Sequence, residues 1–204
     1  MFINESVFKR LIKKAYGAGR LHIYMNKLGW VYIGGGYWNI QIPRKSMTNK
    51  MLASLIEIIG ELPKYEEAFT YSKEETQELM PSYFSDIFEA YDEYTDAFSP
   101  TRLLMHTSRA DLAIWQRMSG DPVKVLLPSY ANDIIDTTHI EGGENYPEAP
   151  KGQRDRAHCL IWRNNNMALQ IICINTEYKG ERDLMTKLNE SDLAWTETSD
   201  DSIG

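Results

Sequence analysis

The sequence predicts an α+β fold: antiparallel sheets, made of a meander plus a C-terminal hairpin, with helices packed on one side. Three observations carry that prediction. Residues 5–16 repeat apolar positions at helical spacing, residues 21–42 divide into three short aromatic and β-branched runs, and two apolar runs flank Asn164-Asn165-Asn166. A chain of 204 residues suffices for one core, or for two small halves sharing an interface. The organisation expected is one domain over residues 1–190, with pseudo-repeated halves 1–99 and 100–190, then an acidic mobile tail over 191–204.

The elements follow in order. Asn4 is a candidate N-cap for a helix reaching Tyr16, with Val7, Phe8, Leu11, Ile12, Ala15 and Tyr16 on one half of the wheel. Lys9, Arg10, Lys13 and Lys14 fill the other half, and Gly17 and Gly19 end the helix. Strands are expected over 21–25, 30–33 and 38–42, the last stopped by Pro43, which lacks a backbone donor. Thr48 caps a second helix that ends at Gly60. Ser72 with Glu75 fits a capping box for a short third helix stopped by Pro81, and residues 83–98 fit a fourth. Strands over 102–107, 112–116 and 123–127 end at Pro128, before a short helix over 130–136. Asn39-Ile40-Gln41-Ile42-Pro43 and Lys124-Val125-Leu126-Leu127-Pro128 suggest a duplicated unit of strands, proline and helix. A long Gly- and Pro-rich loop over 141–155 precedes the hairpin of 156–163 and 167–175, and a last helix covers 182–189.

The net charge of −7 is unevenly spread. Residues 1–56 hold nine basic residues and one acid, residues 57–100 hold two basic residues and twelve acids, and the remainder holds eleven against sixteen. The two opposed regions either neutralise one another within the fold or present a basic face to a polyanion. No apolar run is long enough to cross a bilayer, and the first residues lack the apolar core and cleavage site of an export signal. Only Cys159 and Cys173 occur, so a reduced, cytoplasmic protein is expected.

Five constellations are candidates for function. The basic helix comes first: Lys9, Arg10, Lys13 and Lys14 have the spacing of a phosphate-contacting face, although a solvated basic face is the ordinary origin of such a pattern. This basic helix set beside a sheet resembles the layout of DNA sliding clamps, whose basic helices line a central hole. The resemblance covers about the first 60 residues with a looser second copy, and is one of layout rather than motif. Gly34-Gly35-Gly36 would let a backbone approach an anion. It lacks the Gly-Lys-Ser/Thr of a phosphate loop, and a hairpin turn accounts for it.

His139, Glu141 and His158 supply the ligand types of a two-histidine, one-carboxylate metal site, and this marks the alternative reading, a small metal-dependent enzyme. The competing expectation places His158 on the hairpin beside Leu160 and Trp162. Residues 83–98 interleave aromatics with acids, and Ile87, Tyr91, Tyr94 and Phe98 fall on one helical stripe, suited to a core or to a docked partner. With a turn at 164–166, Cys159 opposes Ile171 and shares a face with Cys173, as core thiols. Leu193 and Trp195 in the acidic tail are candidates for anchoring in a partner. No nucleophile elbow is present. The expectation is a non-enzymatic binding or accessory protein without a cofactor, contacting a macromolecular partner (protein or nucleic acid) and no membrane.

Overall fold

The computed structural model describes residues 2–135, 146–153, 158–176 and 178–193. Helix α1 (Glu5–Gly17) begins where expected: the Asn4 side-chain oxygen accepts the N–H groups of Ser6 and Val7 at 3.0 and 3.2 Å. Strands β1 (Leu21–Met25), β2 (Trp30–Gly34) and β3 (Trp38–Pro43) form the meander. A 3₁₀ turn, Arg44–Ser46, leads into α2 (Asn49–Ile59), whose Met51 N–H donates to the Thr48 hydroxyl. Then come the hairpin β4 (Ala68–Tyr71) and β5 (Thr76–Glu78), helix α3 (Ile87–Glu93), and a second meander of β6 (Asp96–His106), β7 (Asp111–Arg117) and β8 (Lys124–Pro128). A 3₁₀ turn at Ser129–Asn132, the short β9 (Lys151–Gly152), hairpin β10 (Cys159–Asn164) and β11 (Met167–Ile172), and α4 (Lys179–Asn189) complete the described chain.

The strands form one antiparallel sheet in the order β5-β4-β1-β2-β3-β11-β10-β9-β6-β7-β8. The order contains one unit twice. In each, a hairpin returns to pair beside the first strand of a meander: β4 with β1 directly, and β10 with β6 through β9. Each meander ends at a proline that leads into a 3₁₀ turn. Pairing of β3 with β11 joins the units.

Strand alternation sends side chains to two faces, and both need cover. On one face, Leu21, Ile23, Val31, Ile33, Trp38 and Ile40 meet Val7, Phe8, Leu11 and Ile12 of α1 and Met51 and Leu55 of α2. Each of these large side chains, fully buried, stabilises the fold by roughly 1.5–3 kcal/mol. On the other face, Ile87 and Tyr91 of α3 cover Cys159, Ile161 and Ala168. Met185 and Leu188 of α4 cover Met105, Leu112, Ile114 and Leu126. The α+β antiparallel class is as the sequence predicts. The one-sided arrangement describes α1 and α2, while α3 and α4 lie on the far face because the strands beneath them, the last hairpin under α3 and the second meander under α4, are apolar on both faces.

Several local expectations change. Ser72 and Glu75 do not cap a helix. The Ser72 hydroxyl accepts the N–H groups of Glu74 and Glu75 and closes the β4–β5 turn, the same chemistry serving a hairpin. The helix expected over 83–98 is only α3, capped by Asp86. Residues 96–98 already belong to β6, so Phe98 leaves the stripe of Ile87 and Tyr91 and joins the core on the opposite face. The last hairpin turns on two residues rather than three, because the Asn164 side chain accepts from the N–H groups of Asn166 and Met167 and ends its own strand. Cys159 therefore opposes Ile172, one position from the expected register, and Cys173 falls on the other face.

Candidate functional site

Helix α1 carries its four expected cations outward. Burial of Val7, Phe8, Leu11, Ile12 and Ala15 fixes the rotation of the helix, so Lys9 with Lys13, and Arg10 with Lys14, form two rows. Within each row the residues are four positions apart, just over one turn and about 6 Å along the axis. The rows differ electrostatically. Lys9 Nζ lies 2.6 Å from one oxygen of Glu57, and Lys13 Nζ lies 3.2 Å from the other. Both ammonium groups keep the Glu57 carboxyl below the usual carboxylate range. All three side chains are about half exposed (43%, 51% and 51%), so these pairs are solvated and individually weak. Arg10 and Lys14 are exposed and form no ion pair among the described residues.

The helix pair extends this surface. Arg44 and Lys45 are exposed at the entrance to α2, and Lys50 lies 3.4 Å from Glu5, itself hydrogen-bonded by the Thr48 hydroxyl. The acidic segment that follows does not come back to cover these cations. Among the described residues, only Glu57 of its twelve acids pairs with α1. Asp86 caps α3, Asp92 pairs with Arg163 at 2.5 Å, Asp96 pairs with Arg117 at 3.1 Å, and Glu66 accepts the Lys27 N–H. Charge is therefore segregated between the α1–α2 layer and the rest of the described chain, with Glu5 and Glu57 as the carboxylates paired within that layer. Glu57 is the residue that sequence reading missed. Its partners lie 44 and 48 residues away, and only the packing of α2 beside α1 reveals them.

The other candidates are placed as follows. Gly34-Gly35-Gly36 forms the β2–β3 turn, with Gly36 at φ +78°. A Cβ on Gly35 would stand 2.6 Å from Trp38 Cζ2 and 2.7 Å from Ala15 Cβ, so the middle glycine is packed against α1 and leaves no room for an anion there. His158 is exposed on a bend before β10, contrary to its expected place beside Leu160 and Trp162, whose side chains point into the main core. His139 and Glu141 lie outside the described residues, and no group of three metal-ligating side chains occurs among the described ones. The Cys159 thiol contacts the Tyr94 hydroxyl at 3.5 Å and Gln170 Nε2 at 3.3 Å. Burial, with Cys159 nearby, pushes the Cys173 thiol up to about 12.

Leu193 is held, not free: its N–H donates to Gln116 Oε1 at 2.8 Å, while Gln116 Nε2 donates to Asp192 at 2.6 Å. The buried Lys124 ammonium donates to the carbonyls of Pro122 and Ser191, and burial lowers its pKa. Trp195 lies outside the described residues. Among these, no helix is long and apolar enough to cross a membrane.

No family model matches the chain, and no curated protein matches it. Among solved structures, it is similar to the DNA polymerase III β chain from Streptococcus pneumoniae TIGR4, at 10% identity and a TM-score of 0.35 over 88% of this chain and 66% of that one. A putative DNA polymerase III β subunit from Eubacterium rectale gives 11% identity and a TM-score of 0.38 over 90% and 67%. The DNA polymerase III β subunit from Thermotoga maritima gives 9% and 0.34 over 89% and 66%. The chain thus spans 66% of the length of the first of these.

Proposed function

We propose that this chain is a non-enzymatic accessory protein that lays its α1–α2 layer against a nucleic-acid backbone, in a clamp-like layout. The observation that supports it most is the row of Arg10 and Lys14, which pair with no carboxylate among the described residues, beside the row of Lys9 and Lys13, whose two charges meet a single carboxylate. A surface built for self-neutralisation would have brought the acids of residues 61–96 across it, and among the described residues none of these pairs with α1 or α2.

The recognition such a surface provides is electrostatic. Lysine and arginine on a helix neutralise phosphates and release condensed counterions, which gives affinity without sequence readout. Lys9 and Lys13 stay with Glu57, whose weak solvated pairs temper that row without covering the surface. The half-exposed side chains keep the freedom to follow a backbone rather than a fixed base sequence.

The test is binding to labelled duplex and single-stranded DNA across a salt series, with wild type and the charge reversal K9E/R10E/K13E/K14E. Wild type binds with an affinity that falls steeply with salt, and the reversal abolishes binding while leaving the circular dichroism spectrum intact. Binding that the reversal leaves unchanged removes the proposal.

A further inference from the structure

Strand alternation sends His22 and Tyr24 of β1, and Trp30 and Tyr32 of β2, to the face away from α1 and α2. Among the described residues no helix lies across these strands there: α3 stands over β10 and β11, and α4 over the second meander. A patch of rings takes the place of a helix. The Tyr24 ring lies 5.4 Å from Tyr32 and 5.2 Å from Phe84, centroid to centroid, each pair tilted by 32°. Phe88 of α3 meets Trp30 edge-on at 5.1 Å. Tyr32 is buried, while Tyr24, Trp30, Phe84 and Phe88 keep part of their surface in solvent. Just before Phe84 in the chain, Met80 and Tyr83 are 68% and 75% exposed.

Carboxylates border these rings. The Tyr24 hydroxyl donates to Glu66 at 3.4 Å, Asp86 caps α3 at the foot of the patch, and Glu89 stands exposed on the first turn of that helix. Their charge reaches the rings: burial, then the Asp86 carboxylate, pushes the Tyr32 hydroxyl up to about 12, with Tyr24 and Glu89 adding to it. Glu66, Asp86 and Glu89 form no ion pair among the described residues.

This pairing of ring faces with unanswered carboxylates selects one partner chemistry. An apolar partner would strip water from the acids and give them nothing in return. A nucleic acid would be repelled, and a second copy meeting the same face symmetrically would set acid against acid. A guanidinium answers both features, since its plane stacks on an aromatic ring and its N–H fork meets a carboxylate. We infer that the aromatic face of β1 and β2, with Phe84 laid over it, docks an arginine-bearing basic segment of a partner protein. It is separate from the α1–α2 surface, whose cations repel the same segment, and does not depend on the nucleic-acid reading.

The experiment titrates the full ¹⁵N-labelled chain with three peptides of alternating glycine and arginine, glycine and lysine, or glycine and glutamate. The expected result is saturable binding of the arginine peptide, tighter than the lysine peptide of equal charge, with shifts at Tyr24, Trp30 and Phe84 and none on α1. The glutamate peptide does not bind. Y24S/F84S, which leaves the charge unchanged, weakens the arginine peptide roughly five-fold, the worth of one or two stacked cations. E66Q/E89Q weakens it as well, whereas E74Q/E75Q, removing two exposed acids from the β4–β5 turn, does so less. Arginine and lysine peptides binding alike would mean that net charge alone is at work and overturns the inference. So does an arginine peptide that fails to bind or shifts other faces only. Self-association of the chain in sedimentation velocity, abolished in Y24S/F84S, would give the face to a second copy and overturns it too. The wild-type titrations decide the matter even if a variant fails to fold.

Discussion

Replacing Glu57 with glutamine should strengthen polyanion binding, and the size of the effect follows from who holds whom. In the wild type, Arg10 and Lys14 have no competing carboxylate among the described residues, while Lys9 and Lys13 share one at 2.6 and 3.2 Å. Each phosphate neutralised on duplex DNA contributes about 0.9 to the slope of log K against log salt. The free row alone therefore supplies about 1.8, and release of the second row by E57Q raises this towards about 3.6. Between roughly 50 and 200 mM salt the α1 contribution to affinity then falls about 12-fold in the wild type and about 150-fold in E57Q. Arg44, Lys45 and Lys50 add equally to both proteins and cancel in the difference. Fluorescence anisotropy with a labelled duplex gives both slopes. E89Q is the control, since it removes the same single charge from exposed α3 on the opposite face. If E57Q and E89Q raise affinity alike, net charge alone is at work. If R10A/K14A leaves the slope where it was, the helix face does not touch phosphate, and the reasoning fails.

Three other predictions concern the scaffold. G35A, whose new methyl would stand 2.6 Å from Trp38 and 2.7 Å from Ala15, costs about 1–3 kcal/mol in urea unfolding; a stability equal to wild type would show that α1 does not press on the turn. Tyr91 is clasped by the Lys151 and Arg163 cations, 4.2 and 4.4 Å from its ring, and donates to Glu148 and Ala149, so Y91A costs about 3–5 kcal/mol and Y91F about 1. Equal losses in the two would mean the hydroxyl, not the ring, matters. His22 is half-buried against Thr70 at 2.8 Å, and burial lowers its pKa below 6.5. The unfolded chain then binds the proton more readily, so this contribution is complete above pH 6.5 and is lost as pH falls from there through the folded value. Thermal unfolding of wild type and H22Q between neutral and mildly acid pH checks it: the part of the acid slope due to His22 disappears in H22Q.

Much of the first unit was legible in the sequence because its signals are local. The rotation of α1 follows from apolar residues every three and four positions, and its two ends from Asn4 and Gly17-Ala18-Gly19. Misreadings arose where one local signal serves two structures. Ser72 bonding to nearby N–H groups is common to a helix start and a tight turn. Spacings of three and four from Ile87 to Phe98 continue past the end of α3, although the chain has become a strand by Asp96. Asn164 looked like part of a turn and acts as the peg that shortens it. Of the candidate site, the cations were legible and the carboxylate was not, since Glu57 meets them only when two helices pack. The contact between Trp115 and Trp162 was hidden for the same reason. Trp115 and Trp162 belong to strands separated in the sheet by β6 and β9.

The seam between the two units also sets a timetable. Asn39 of β3 bonds to Gln170 of β11, 131 residues later. At about 5–20 residues per second, a ribosome leaves that side of β3 waiting on the order of ten seconds for its neighbour. During that interval the first meander shows an unpaired strand bearing Trp38, Ile40 and Ile42, the kind of margin on which nascent chains stick to one another. A nascent or cleaved chain lacking β11 is therefore the form most prone to aggregate, and the last hairpin, by arriving, ends the exposure.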